Sequence, residues 1–148
     1  MTRHPIHPML VHFPLAAWVF TAACDVAWLV TGTPFFSHMA TFLCLAGLAA
    51  GGLAAMFGAM DLQRVKGQKQ LERIAVIHAS LMGSAWLISL VAMILRIDDL
   101  FLTRIPEPGL VIVLDFVVAS LVLVGAFFGG EMVYRHGVGV TKDPAPKA

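Results

Sequence analysis

Three histidines and three prolines crowd into residues 4–14 (His4-Pro-Ile-His7-Pro-Met-Leu-Val-His12-Phe-Pro14), directly ahead of a long apolar run. Imidazoles bind metals, hold haem iron as axial ligands and relay protons. Further groups of the same chemistry lie far along the chain: Asp61, His78, Glu131 and His136. With His7 and His12 they form a set of imidazoles and carboxylates suited to a transition metal. His12 and His78 alone would suit an iron held from two opposite faces. Which of these groups can meet depends on the elements that carry them.

The chain has 148 residues, 59% hydrophobic and 13% charged, with a mean hydropathy of +0.84. Typical soluble domains are about 45–50% apolar and about 25% charged, so this composition belongs in a membrane. A formal net charge of +1 argues against a nucleic-acid partner, since it could not neutralise a run of phosphates. Four apolar segments, 9–30, 36–60, 74–95 and 109–134, are each near the ~20 residues that cross the hydrocarbon as a helix. Their short connections predict an all-α, integral membrane four-helix up-down bundle, with residues 1–148 forming a single transmembrane domain. Thr31-Gly-Thr-Pro34 and Pro106-Glu-Pro-Gly109 read as turns. Asp61 to Arg73 reads as a polar loop, and 137–148 as a mobile tail rich in Gly and Pro. Cys24 and Cys44 fall inside spans as packing residues, with no disulfide or zinc spacing. Thr21-Ala-Ala-Cys24 lacks the Leu-like residue of a lipoprotein cleavage site.

With the N-terminus on side A, four spans return the C-terminus to that side. Side A then carries Arg3, Arg64, Lys66, Lys69, Arg73, Arg135, Lys142 and Lys147, whereas side B carries Arg96 and Arg104. This bias predicts that side A is cytoplasmic. The topology also brings His7, His12, Asp61, His78, Glu131 and His136 to one membrane level. Ionisable groups at such depth are expected to face the bundle interior or water. The first and third spans are diagonal in such a bundle, about 13 Å apart for neighbours at 8–10 Å. Two histidines bridge that distance only through something planar between them.

Pro8 suits a first helical position. Pro14 would then remove the hydrogen bond to the Leu10 carbonyl and kink the helix beside His12. Alternatively the helix begins at Pro14, with the preceding residues extended in the interface. Haem b held by His12 and His78 is the sharpest chemical expectation. Gly51 and Gly52, with Gly125 and Gly129, would let a flat ring approach backbone, and Arg73 and Arg135 would neutralise propionates. Helix packing explains the same glycines, Gly47 to Gly51 and Gly125 to Gly129 having GxxxG spacing that serves a bundle or a homo-oligomer. Copper or another transition metal at His7, His12, Asp61, His78, Glu131 and His136 is the competing expectation. A third is a proton path from this level toward Asp25, although on an ideal helix Asp25 points well away from His12. A structural or assembly role, with polar groups sealing helix ends, is a fourth.

The segments His7-Pro-Met-Leu-Val-His12-Phe-Pro14, Asp25, Gly58-x-x-Asp61, Arg73-x-x-x-x-His78 and Gly129-Gly-Glu-x-Val-Tyr134-x-His136-Gly-Val-Gly139-Val together resemble the bacterial membrane proteins of domain-of-unknown-function family 2231. The resemblance covers nearly the whole chain and implies a four-span module. Some relatives are fused to, or neighbour, Rieske iron-sulfur or c-type cytochrome domains. This chain contains no C-x-x-C-H and no Rieske ligand pairs, so the resemblance implies a separate redox partner. The expected function is therefore a redox module of the bacterial inner membrane, with both termini cytoplasmic, exchanging electrons with a quinone or a redox protein. A small metal or proton transporter, a sensor, or an assembly subunit is the alternative.

Overall fold

The computed structural model describes residues 6–97 and 108–140. They form α1 (Ile6–Leu10), α2 (His12–Thr31), α3 (Pro34–Leu62), a 3-10 turn (Gln63–Val65), α4 (Lys69–Arg96) and α5 (Pro108–Tyr134). Four stretches are long and apolar enough to cross a membrane: Ile6–Thr31, Pro34–Leu62, Lys69–Arg96 and Gly109–Tyr134. Two antiparallel hairpins result, with α2 packed on α3 and α4 on α5. They close through α2 against α5 and α3 against α4, leaving α2 and α4 on one diagonal. This is the expected all-α up-down membrane bundle.

Large apolar side chains such as Phe13, Phe20, Phe42, Leu53 and Phe127 point outward, where acyl chains solvate them. The interior is built largely from small residues, including Ala17, Ala22, Ala40, Cys44, Ala54, Ala85 and Ala92. Small side chains let backbones approach closely, which favours helix association where water provides no hydrophobic drive.

Local signals explain the element ends. The first span is helical from Ile6 and interrupted only at Val11, whose N–H still donates to the His7 carbonyl at 3.1 Å. Of the two readings of this stretch, the helix that begins before Pro14 is the one adopted. At the α2–α3 turn Gly32 has φ +65° and donates to the Trp28 carbonyl at 2.8 Å, and Pro34 opens α3.

Two boundaries differ from expectation. The polar segment Asp61 to Arg73 is mostly helix, because α3 runs on to Leu62 and α4 starts at Lys69. Its apolar residues explain this: Val65, Leu71 and Ala75 form a buried cluster with Leu62, Met132 and Val138. The stretch expected to be a mobile tail begins instead with an ordered cap. Gly137, at φ +66°, donates to the Val133 carbonyl, and Val138 donates to the Met132 carbonyl, both at 3.0 Å. The Gly137 bond is that of an αL cap, and Val138 and Met132 both pack against the buried cluster beside it. The rest of that stretch, 141–148, lies outside the described residues, as do Asp98, Asp99, Arg104 and the Pro106 turn.

The hairpins repeat each other at an offset of 71 residues. Trp18 meets Ser89 and Asp25 meets Arg96 across the diagonal at that separation, and His7 faces His78 at the same offset. Burial repeats too. Pro14, Trp18, Thr21, Ala22 and Asp25 are buried on α2, and so are Ala85, Ser89, Ala92, Met93 and Arg96 on α4. Both hairpins start on side A, so the relation is that of parallel repeats about an axis along the membrane normal.

Candidate functional site

His7 and His78 face each other at the side A end of this axis. Their ring centroids are 6.3 Å apart and their planes cross at 83°. Each ring is fastened to the outer helix of its own hairpin. Nδ1 of His7 donates to the Ala54 carbonyl on α3 and Nδ1 of His78 to the Gly125 carbonyl on α5, both at 2.8 Å and both across a separation of 47 residues. A carbonyl only accepts, so the proton resides on Nδ1 and the lone pair on Nε2. Neither Nε2 has a hydrogen-bond partner among the described residues.

Glycines one turn beyond those carbonyls seat the rings. A Cβ at Gly58 would lie 2.9 Å from Cε1 of His7, and one at Gly129 would lie 3.2 Å from Cε1 of His78. A side chain at position 58 would displace the imidazole, and one at 129 would crowd it. The arrangement has the features of metal-binding histidines, whose second ring nitrogen is held by a backbone carbonyl.

The other expected site residues are placed differently. His12 is exposed and lines a hollow between α2 and α3 with Phe13, Ala16, Ala17, Phe20, Leu43, Ala46 and Ala50. It does not face His78; the ring that does is His7. Gly51 and Gly52 border tryptophans: a Cβ at Gly51 would lie 2.7 Å from Trp18, and one at Gly52 would lie 3.7 Å from Nε1 of Trp86. Arg73 is exposed on the first turns of α4, and Arg135 is exposed and paired with Glu131 at 3.1 Å. Asp61 and His136 are half-buried, and Nε2 of His136 is buried without a partner. Among the described residues no three His, Cys, Asp or Glu side chains gather closely enough to hold a metal ion. The six-residue set is therefore spread over one membrane level rather than assembled, because those residues occupy different helix faces.

Two polar contacts on the same axis escaped sequence reasoning. Nε1 of Trp18 donates to Oγ of Ser89 at 2.8 Å, with Sγ of Cys44 3.4 Å from that oxygen. Nearer side B, Arg96 is fully buried between Asp25 and Asp115. Its place at the side B end of α4 follows from the sequence; its burial does not. The available signal was the repeat. Ile6-His7-Pro-Met-Leu10 matches Ile77-His78-Ala-Ser-Leu81, and Ala55-Met-Phe57-Gly58 matches Ala126-Phe-Phe128-Gly129. The two matches contain both histidines and both glycines of the site.

No curated protein and no solved structure matches the chain. A family described as predicted membrane protein (DUF2231) matches residues 3–142. Its span takes in both hairpins and every residue of the histidine site, and the chain belongs to that family of membrane proteins of unknown function.

Proposed function

We propose that this protein is a membrane redox module in which His7 and His78 hold a b-type haem at the side A end of the bundle. The observation that carries this reading is the paired imidazoles, 6.3 Å apart, crossed at 83°, each with Nδ1 donating to a backbone carbonyl and Nε2 left with a lone pair that can ligate. A site with two protein ligands favours haem over a bare ion, since zinc sites take three or four protein donors whereas a macrocycle brings its own. Bound there, haem supplies one-electron chemistry.

The chain's own residues have distinct tasks. Ala54 and Gly125 fix the tautomer through their carbonyls, and Gly58 and Gly129 let the rings lie against backbone. Arg73 and Arg135, exposed at the same end, are available to carboxylates of a haem edge. The hollow of about 590 Å³ between α2 and α3, apolar except for His12, would admit the ring of a lipid-borne quinone near this level. The electron acceptor or donor on the aqueous side would be a separate protein of Rieske or cytochrome type. The Lys/Arg excess on side A supports that side being cytoplasmic, and the location that goes with this reading is the bacterial inner membrane.

The test is absorption spectroscopy, oxidised and dithionite-reduced, with metal analysis, on protein purified from cells supplied with haem. A Soret band at one haem per chain is expected, lost in His7→Ala and in His78→Ala and kept in His12→Ala. Protein without a Soret band would overturn the haem reading. Copper bound in its place and lost on the same two substitutions would make the pair a copper site.

A further inference from the structure

Asp25, Arg96 and Asp115 come from α2, α4 and α5 and meet in the half of the bundle nearer side B. Their side chains are 0–1% exposed. One atom joins them: Nη2 of Arg96 donates to Oδ2 of Asp25 at 2.6 Å and to Oδ2 of Asp115 at 2.5 Å. Oδ1 of each carboxyl group, with Nε and Nη1 of Arg96, is buried without a hydrogen-bond partner among the described residues.

The charges do not balance. Two carboxylates face one guanidinium, so the fully ionised cluster would carry a net negative charge inside a span, where uncompensated charge is costly. Arginine does not give up its proton in proteins. Only a carboxyl group can remove the excess by taking up a proton. Because both Oδ2 atoms touch the same nitrogen, they lie no more than about 5 Å apart, and like charges at such separation disfavour each other's ionisation. Among the described residues, thiols are the other ionisable groups beside the cluster, Cys24 on α2 and Cys44 on α3.

We propose that the triad is a protonation site, holding one exchangeable proton between Asp25 and Asp115 and loaded from side B. An O–H bond forms on a carboxyl oxygen as water on side B delivers the proton, and the same bond breaks when the proton returns; no electron moves. Asp25 lies about 9 Å by helical rise from the end of α2, and Arg96 is the last residue of α4, so the site is shallow. Toward side A the axis is filled by Trp18, Ala85, Val118 and Val122. Protons therefore enter and leave on one side, and the site stores or senses them rather than conducting them. It is independent of any haem, since the two levels are about 27 Å apart along α4.

Infrared spectroscopy of the full chain in lipid vesicles, across a pH titration in H2O and in D2O, tests this. The expected result is one protonated-carboxyl band per chain that shifts on deuteration, titrates reversibly and is lost in Asp25→Asn and in Asp115→Asn. Each of these variants leaves one carboxylate matched to Arg96, and circular dichroism checks that it folds. A wild-type spectrum showing ionised carboxylates alone across the pH range in which the chain stays folded would overturn the proposal. So would a band of unchanged intensity in both folded variants.

Discussion

The hairpin of α1, α2 and α3 and the hairpin of α4 and α5 share one skeleton and differ in how they fill it. At the side A end the equivalent residues are identical: His7 and His78 on the diagonal helices, Gly58 and Gly129 beneath them. Deeper in, equivalents are complementary. Trp18 donates to its counterpart Ser89, and Asp25 accepts from its counterpart Arg96. The outer helices compensate. Trp18 lies on Gly47 and Gly51, where added Cβ atoms would come within 2.6 and 2.7 Å of the indole, while α5 has the buried Val118 and Val122 at the equivalent places. Two like groups on an axis can hold something between them, whereas an unlike pair satisfies itself directly. The identical level is thus where the proposed ligand would fit, and the complementary levels are where the hairpins are joined directly.

The sharpest way to break the comparison is at the identical level. His7→Ala and His78→Ala should each abolish bound cofactor completely, with His12→Ala unaffected, as read by the absorption spectrum. Next is the charged level. Arg96→Gln leaves two buried carboxyl groups without their cation and should destabilise the bundle by about 3–5 kcal/mol, whereas Asp25→Asn, which leaves a matched pair, should cost much less. Thermal unfolding in detergent measures both. At the Trp18 level, Gly51→Val overpacks the indole and should cost about 1–3 kcal/mol; an unshifted melting temperature would mean that the two outer helices are interchangeable there. Gly137→Ala forces a left-handed alanine into the cap of α5 and should cost about 1 kcal/mol. Glu131→Gln removes an exposed pair with Arg135 and should change stability by no more than about 0.5 kcal/mol.

Span number, the up-down order of the helices and the common end of the bundle that carries His7 and His78 were legible because hydropathy and the short connections encode them directly. The choice of His12 over His7 shows where that stops. On α2 the inner face is marked by Pro14, Trp18 and Asp25, and His12 lies about 120° around the helix from Trp18 at 100° per residue. His7 falls back on the stripe, as His78 does with Ala85, Ser89 and Arg96 on α4. Depth alone treats both N-terminal histidines alike; angular position separates them. The burial of Arg96 was illegible for a related reason. At a helix end it reads as a surface cation, and only the carboxylates of two other helices explain its burial.

The sequence by itself determined the solvent, the four spans, their alternation and two copies of an Ile-His-x-x-Leu motif, because each is written in local composition and spacing. The tertiary structure decided that the two motifs belong to one axis, that His7 rather than His12 faces His78, and that Asp25, Arg96 and Asp115 form one cluster. Those are relations between helices distant in the chain, set by which faces pack together, and a side chain's partner across a diagonal leaves no mark in its own neighbourhood of sequence.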